Sequence, residues 1–254
     1  GDGEREVAEG KVLNRIIRRT AAGWEYEADQ RQVDLLVQQL NLQEANAVKT
    51  PGEEEKPWKE VEDAQKLDAR ESREYRAMAA RANYLAADRP DVQYAVKELC
   101  RSMSSPARGD LRKLRRLARY LKGVPRLIMR YDWQREVSEL RVYSDSDWAG
   151  CRRTAKSTSG GAILKGRHCI KSWSSTQKNI TLSSGEAELV AVVKASTEVI
   201  GALQLAEGFG EELLASVWVD SSAALGIVKR KGCGKMRHVK VGSLWVQELS
   251  LIHI

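Results

Sequence analysis

Three acidic residues carry the most specific chemical signal in this chain. Asp145 and Asp220 each close a short apolar, partly β-branched run, which predicts that each projects from the end of a strand. Glu188 lies where the pattern predicts the first turns of a helix. Two strand-end acids and one helix-borne acid can converge on one point, and hard cations such as Mg²⁺ prefer clustered carboxylate oxygens. We therefore predict metal-dependent phosphodiester chemistry, with all three acids as catalytic residues and metal ligands.

Each acid also has a structural interpretation. Strand-terminal aspartates often stabilise turns, and Asp220 precedes two serines in a context typical of a helix N-cap. Ser183 followed by Glu186 fits a capping box, so we predict that Glu186 is structural and that Glu188 is the ligand. Asp147 is predicted to point to the opposite face from that of its strand neighbour, or into the following turn.

The elements that must position these acids alternate between β and α patterns. Antiparallel strands are predicted to precede a crossover helix, giving a mixed α/β sheet with Asp145 on its first, central strand. The tryptophans of this region, Trp148, Trp173 and Trp218, are predicted to be core aromatics. The predicted strands are 139–145, 159–166, 168–174 and 215–220, and the predicted helices are 184–208 and 221–230.

Upstream of residue 132 the patterns are mainly helical. We predict an amphipathic helix over 30–42, an exposed acidic connector from about residue 53, and a helical block over about 72–122. The last helix of this block, 110–122, places leucines on one face and six basic residues around the rest. These cations indicate either a solvated face over a helical core or a phosphate-binding stripe. The candidate nucleic-acid-binding residues are Arg112, Arg115, Arg116 and Arg119.

Composition narrows the class of partner. The 254 residues contain 42 Lys and Arg against 35 Asp and Glu, which gives a net charge of +7 and favours a polyanionic partner. The four cysteines are widely spaced without a zinc-binding or disulfide pattern, so we predict free thiols. We find no signal peptide and no long uncharged apolar run, and we predict no membrane partner.

Several motifs, in order, closely resemble the ribonuclease H domain of copia-type LTR retrotransposon Pol polyproteins. They are YSDSDWAGC (143–151), KSTSG (156–160), SWSS (172–175) and LSSGEAE (182–188). Upstream stretches, including NYL (83–85), DRPD (88–91) and RYLKG (119–123), look like the segment that joins that family's reverse transcriptase to its ribonuclease H.

The resemblance implies a fold and a division of the chain. The fold would be an α/β ribonuclease H-like mixed sheet with flanking helices, preceded by a mostly helical reverse transcriptase thumb/connection segment. The segments would be a partial reverse transcriptase C-terminal segment (1–52), an exposed connector (53–70), a helical connection (71–132) and a ribonuclease H-like domain (138–248). We interpret residues 249–254 as a non-native tail.

The resemblance also implies an activity. The module would hydrolyse the RNA strand of RNA–DNA hybrids during reverse transcription, using two Mg²⁺ or Mn²⁺ ions. Its partners would be the hybrid and the rest of the Pol polyprotein, including the reverse transcriptase palm and fingers. Its location would be intracellular, in a cytoplasmic retroelement particle, the nucleus or both. No Tyr-x-Asp-Asp polymerase motif occurs in this sequence.

One position departs from the family pattern. The family implies a fourth acid in a His-Ile-Asp-Val segment, whereas this chain has His238-Val239-Lys240-Val241. We leave His238 outside the catalytic set, because a lone histidine beside basic residues is usually a surface residue. Two functions stay open: an RNA–DNA hybrid endonuclease, and a catalytically impaired remnant that keeps the fold and nucleic-acid binding.

Overall fold

The computed structural model describes residues 8–53, 63–151, 153–230, 241–248 and 252–253. The chain divides into two compact units, Gly1–Trp133 and Gln134–Ile254. Lys240, His238 and Cys233 lie outside the described residues. The other three cysteines, Cys100, Cys151 and Cys169, are free thiols, as predicted.

In its described residues the first unit combines a small antiparallel sheet with four helices. Its strands run in the order β1 (Glu9–Val12), β2 (Arg15–Thr20), β3 (Gly23–Glu27) and β4 (Ile128–Asp132). Its helices are α1 (Arg31–Gln39), α2 (Ala69–Ala86), α3 (Gln93–Arg101) and α4 (Arg108–Gly123), with a 3-10 turn at Pro90–Val92. Their apolar faces share one core, which includes Leu36, Tyr75, Leu85, Leu99, Leu114, Leu117 and Leu121.

Strand β4 differs from the helical segment predicted over 71–132. It pairs antiparallel with β3, so that Trp24 lies opposite Tyr131 and Gly23 opposite Asp132. Gly23 permits this pairing because a Cβ there would overlap the carbonyl oxygen of Tyr131. The pairing joins residues far apart in sequence, and a local pattern cannot reveal such a partner.

The second unit contains a mixed sheet and flanking helices. Its elements are β5 (Glu139–Asp147), β6 (Thr158–Lys165), β7 (His168–Thr176), α5 (Ser184–Gly208), β8 (Leu214–Val219), α6 (Ser222–Lys229), a 3-10 helix (Val241–Glu248) and β9 (Ile252–His253). The five strands lie in the order β7-β6-β5-β8-β9. Strands β5, β6 and β7 pair antiparallel, and β8 runs parallel to β5. The predicted α/β mixed sheet with flanking helices is confirmed.

Helix α5 covers one face of this sheet. Its residues Leu189, Val192 and Val199 are fully buried against Val142 of β5 and Val217 of β8. This helix is also long and apolar enough to cross a membrane, and it alone meets that criterion among the described residues. The absence of a membrane partner therefore stays a prediction.

The tryptophan prediction is wrong for two of the three residues. Trp173 is partly buried against the core, where it packs over Gly161, whose missing side chain leaves room for the indole. Trp148 follows in the turn after β5 and is 49% exposed. Trp218 is 37% exposed because its neighbours Val217 and Val219 take the inward positions of β8.

Candidate metal centre

The three predicted acids meet at one edge of the sheet. One carboxylate oxygen from each of Asp145, Glu188 and Asp220 lies within 4.8 Å of the others. Asp145 and Asp220 are exposed, whereas Glu188 is only 8% exposed. Within the described ranges this is the one group of three or more potential metal-ligating side chains.

Strand register explains why the two aspartates meet. Strands β5 and β8 are parallel, and Ser144 pairs with Val219. The next residue on each strand is the acid, Asp145 on β5 and Asp220 immediately after β8. Parallel pairing thus brings both acids to the same carboxyl-end edge.

Capping interactions explain why the acids remain available. The Ser183 hydroxyl accepts a hydrogen bond from the Glu186 amide at 3.2 Å, and Glu186 Oε2 accepts one from the Leu182 amide at 2.7 Å. Helix α6 is capped by Ser221, whose hydroxyl accepts from the Ala224 amide at 3.1 Å, and not by Asp220. Glu186 therefore holds the helix start as predicted, and Asp220 is not used as the N-cap.

Ser146 contacts two of the three acids. Its hydroxyl donates to Glu188 Oε1 at 2.9 Å, and its amide donates to Asp145 Oδ1 at 2.8 Å. Sequence reasoning missed this residue. The available signal was strand alternation, which places Ser146, like Ser144, on the strand face that carries α5.

The electrostatics of the site disfavour three charges without a counter-ion. Burial raises the pKa of Glu188, and the charges of Asp145 and Asp220 raise it further, while the hydrogen bond from Ser146 lowers it. Glu188 Oε2 is buried without a hydrogen-bond partner in the described part of the chain. A buried carboxylate oxygen that lacks a partner is costly unless a cation or donor reaches it.

This donor set fits a divalent cation. All three ligand atoms are carboxylate oxygens. This type of ligand suits Mg²⁺ and Mn²⁺ better than it suits Zn²⁺ or Cu²⁺. The two exposed aspartates keep the position open to solvent, and the orphaned Glu188 oxygen supplies a ligand from the buried side.

A polar network supports the turn beside the acids. The hydroxyls of Ser157 and Thr181 lie 2.9 Å apart, and Ser157 also accepts from the Ala149 amide at 3.1 Å. The Gln177 amide group donates to Ser159 Oγ at 3.0 Å and to the Ala187 carbonyl at 2.8 Å. These bonds tie β6 to the first turn of α5, one residue before Glu188. The Asp147 carboxylate lies against Gly150 in the turn, as predicted, and it is not one of the three clustered acids.

The four candidate nucleic-acid-binding arginines belong to the first unit, on α4, and all have partners within it. Arg112 forms a bidentate ion pair with Asp63, and Arg116 binds Glu53 at 3.1 Å. Arg115 and Arg119 donate to backbone carbonyls of Leu40 and Asn46. These four arginines thus hold the segment that follows α1 against α4. Its role toward phosphates stays a prediction.

Sequence comparisons identify the relatives of this chain. It is 41% identical over 127 residues to the retrovirus-related Pol polyprotein from transposon RE1 of Arabidopsis thaliana, and 40% identical over 127 residues to that from transposon RE2 of the same plant. Each match covers 50% of the chain. Over half of its length the chain is a homologue of the retrovirus-related Pol polyproteins of transposons. No family model matches it.

The chain covers only a small part of these Pol polyproteins, 8% of the RE1 protein and 9% of the RE2 protein. A solved structure of the foamy viral protease-reverse transcriptase in complex with dsDNA matches 96% of the chain and 44% of its own length, with a TM-score of 0.53 and 13% identity. At that identity the likeness shows the shared fold. The resemblance found in the sequence is confirmed at the level of the Pol family.

Proposed function

We propose that this chain is the ribonuclease H module of a transposon Pol polyprotein and hydrolyses the RNA strand of RNA–DNA hybrids. The convergence of Asp145, Glu188 and Asp220 within 4.8 Å carries the proposal. The similarity of half of the chain to transposon Pol polyproteins supports it, and the sequence motifs resemble the same family.

The position of each acid suggests its role in metal binding. Asp145 lies near the end of the central strand and close to both other acids, so it is our candidate for a ligand shared by two metal ions. Asp220 and Glu188 would flank it, one exposed and one buried. Bound Mg²⁺ or Mn²⁺, in two positions by our expectation, would activate water and stabilise the leaving 3′ oxygen.

Substrate selection would depend on the shape of the hybrid. Hybrid recognition of this kind uses groove width and 2′-hydroxyl contacts rather than base edges, so we expect weak sequence preference. The net charge of +7 favours binding to the phosphate backbone. The remaining Pol polyprotein, including the reverse transcriptase palm and fingers, would supply further contacts in an intracellular particle.

The test is cleavage of an RNA–DNA hybrid labelled on its RNA strand. We expect cleavage with Mg²⁺ or Mn²⁺, its loss on chelation, and its loss in Asp145→Asn. Asp147→Asn is the matched control, because Asp147 is an aspartate on the same strand whose carboxylate lies outside the cluster. Undiminished cleavage by Asp145→Asn would refute the assignment.

The substitution at Lys240 motivates the second candidate, a remnant that binds hybrids without cutting them. Lysine stands where the family pattern has an acid. Binding of the hybrid without cleavage at any metal concentration, by a chain that still binds Mn²⁺, would favour this candidate.

A further inference from the structure

We propose that Ser146 is a positioning residue that sets the orientation of Glu188 for the metal. This inference rests on the proposed metal site and assigns a role to a residue outside the carboxylate cluster. The Ser146 hydroxyl holds one Glu188 oxygen at 2.9 Å and leaves the other, Oε2, as the oxygen that can face a cation.

The place of Ser146 on β5 makes it suited to this task. Ser144 and Ser146 lie on the strand face that carries α5, and Asp145 between them is exposed. Ser146 is therefore the residue next to Asp145 that reaches toward the helix. Its amide donates to Asp145 Oδ1 at 2.8 Å, so Ser146 contacts one proposed metal ligand on β5 and another on α5.

The need for such a residue follows from the flexibility of glutamate. A glutamate side chain has three rotatable torsions, and ordering it on metal binding costs conformational entropy. A donor that fixes one oxygen in advance removes part of this cost, which is how outer partners of metal ligands strengthen binding. The other buried oxygen then has a defined direction.

A purely structural role would give a different result. If the hydrogen bond only joined β5 to α5, its loss would lower the melting temperature of the metal-free protein. Metal affinity would then be unchanged once the protein is folded. Measuring metal binding and metal-free stability together separates the two roles.

The experiment uses Ser146→Thr and Ser146→Val in the full chain. Threonine and valine have nearly the same shape, and both suit a strand, but only threonine keeps the hydroxyl. Mn²⁺ is titrated into each protein by calorimetry without nucleic acid. We expect about tenfold weaker Mn²⁺ binding in Ser146→Val than in Ser146→Thr. We also expect threonine to restore the affinity of the parent chain.

Equal Mn²⁺ affinity in the Thr and Val variants would overturn the inference. If either variant fails to fold, Ser146→Ala compared with the parent chain tests the same hydroxyl, with weaker Mn²⁺ binding expected. The outcomes also separate this inference from the proposed function. A parent chain that cuts hybrids while both variants bind Mn²⁺ equally refutes the role of Ser146 alone. A parent chain whose Mn²⁺ affinity depends on the Ser146 hydroxyl but that cuts no hybrid refutes the nuclease proposal alone.

Discussion

Removing one charge from the carboxylate cluster should stabilise the protein without metal and destabilise it, relative to the parent chain, with metal. The perturbation is Asp145→Asn, which keeps the shape of the side chain and the oxygen that accepts from the Ser146 amide. The substitution removes the repulsion between Asp145 and the carboxylates of Glu188 and Asp220. The substitution also removes a metal ligand.

The structure sets the size of this effect. Two unit charges 4.8 Å apart repel by about 1 kcal/mol at the dielectric of water and by about 3.5 kcal/mol at an effective dielectric near 20. Asp145 is exposed, so the lower value applies, and its two neighbours together give about 2 kcal/mol. For a unit of this size the metal-free melting temperature should rise by roughly 8 °C at low ionic strength.

The assay is scanning calorimetry of the full chain at pH 7, with chelator and then with saturating Mn²⁺. The parent chain should gain stability with Mn²⁺, by about 2.7 kcal/mol at a concentration one hundred times the Kd. Asp145→Asn should gain little, so the order of the two melting temperatures reverses. High salt should shrink the metal-free difference by screening.

Two results would refute this reasoning. A lower metal-free melting temperature for Asp145→Asn would mean that Asp145 stabilises the fold, and that its repulsion from Glu188 and Asp220 is not the dominant effect. An equal response of both proteins to Mn²⁺ would mean that the cluster does not bind the ion. Asp147→Asn, which removes a charge outside the cluster, should behave like the parent chain with Mn²⁺.

Three further predictions concern pH, the basic helix and Lys240. Because burial, and then repulsion from the aspartates, raises the pKa of Glu188, the metal-free protein should lose stability as pH rises above 4.5, the ordinary value. Urea unfolding at pH 5 and pH 7 should show a smaller loss in Glu188→Gln, and an identical loss would contradict this cause. Arg116→Ala should lower the free energy of unfolding by about 1–2 kcal/mol, since Thr50, Gly52 and Glu53 lose their partner. If Arg116 also contacts phosphate, the log–log salt slope of hybrid binding should fall by about one unit, and an unchanged slope would exclude that contact. Finally, if Lys240 stands at the position of a fourth acid, Lys240→Asp should lower the Mg²⁺ concentration that gives half-maximal cleavage, and an unchanged value would place Lys240 outside the site.

The sequence was most informative where the determinants are local. The strand and helix bounds of the second unit agree closely with their predicted ranges, because period-two patterns and the Ser183 cap are visible in a short window. The meeting of the acids could be predicted because parallel strands share an edge. Their separation could not, because the Ser144 to Val219 register is set by packing across the whole sheet.

What the sequence could not provide depends on partners distant along the chain. Strand β4 needs β3 as a neighbour. The exposure of Trp218 depends on which side of β8 receives α5, and composition alone favoured burial. The arginines of α4 likewise indicated phosphate or solvent, whereas the structure pairs them with carbonyls and carboxylates of the segment after α1. Only a fold shows which internal acceptors are within reach.

The parallel register of β5 and β8 also has a consequence for folding kinetics. The two strands are separated in sequence by β6, β7 and α5, so the pair that brings Asp145 beside Asp220 closes one of the long loops of the unit. Contacts of this kind form slowly, because the chain loses the entropy of loop closure before the contacts contribute any favourable free energy. If that pairing forms after the folding transition state, a metal ion held by both strands would leave the folding rate almost unchanged and would slow unfolding instead. The ion would then contribute chiefly to the kinetic stability of the folded sheet, by lowering its unfolding rate.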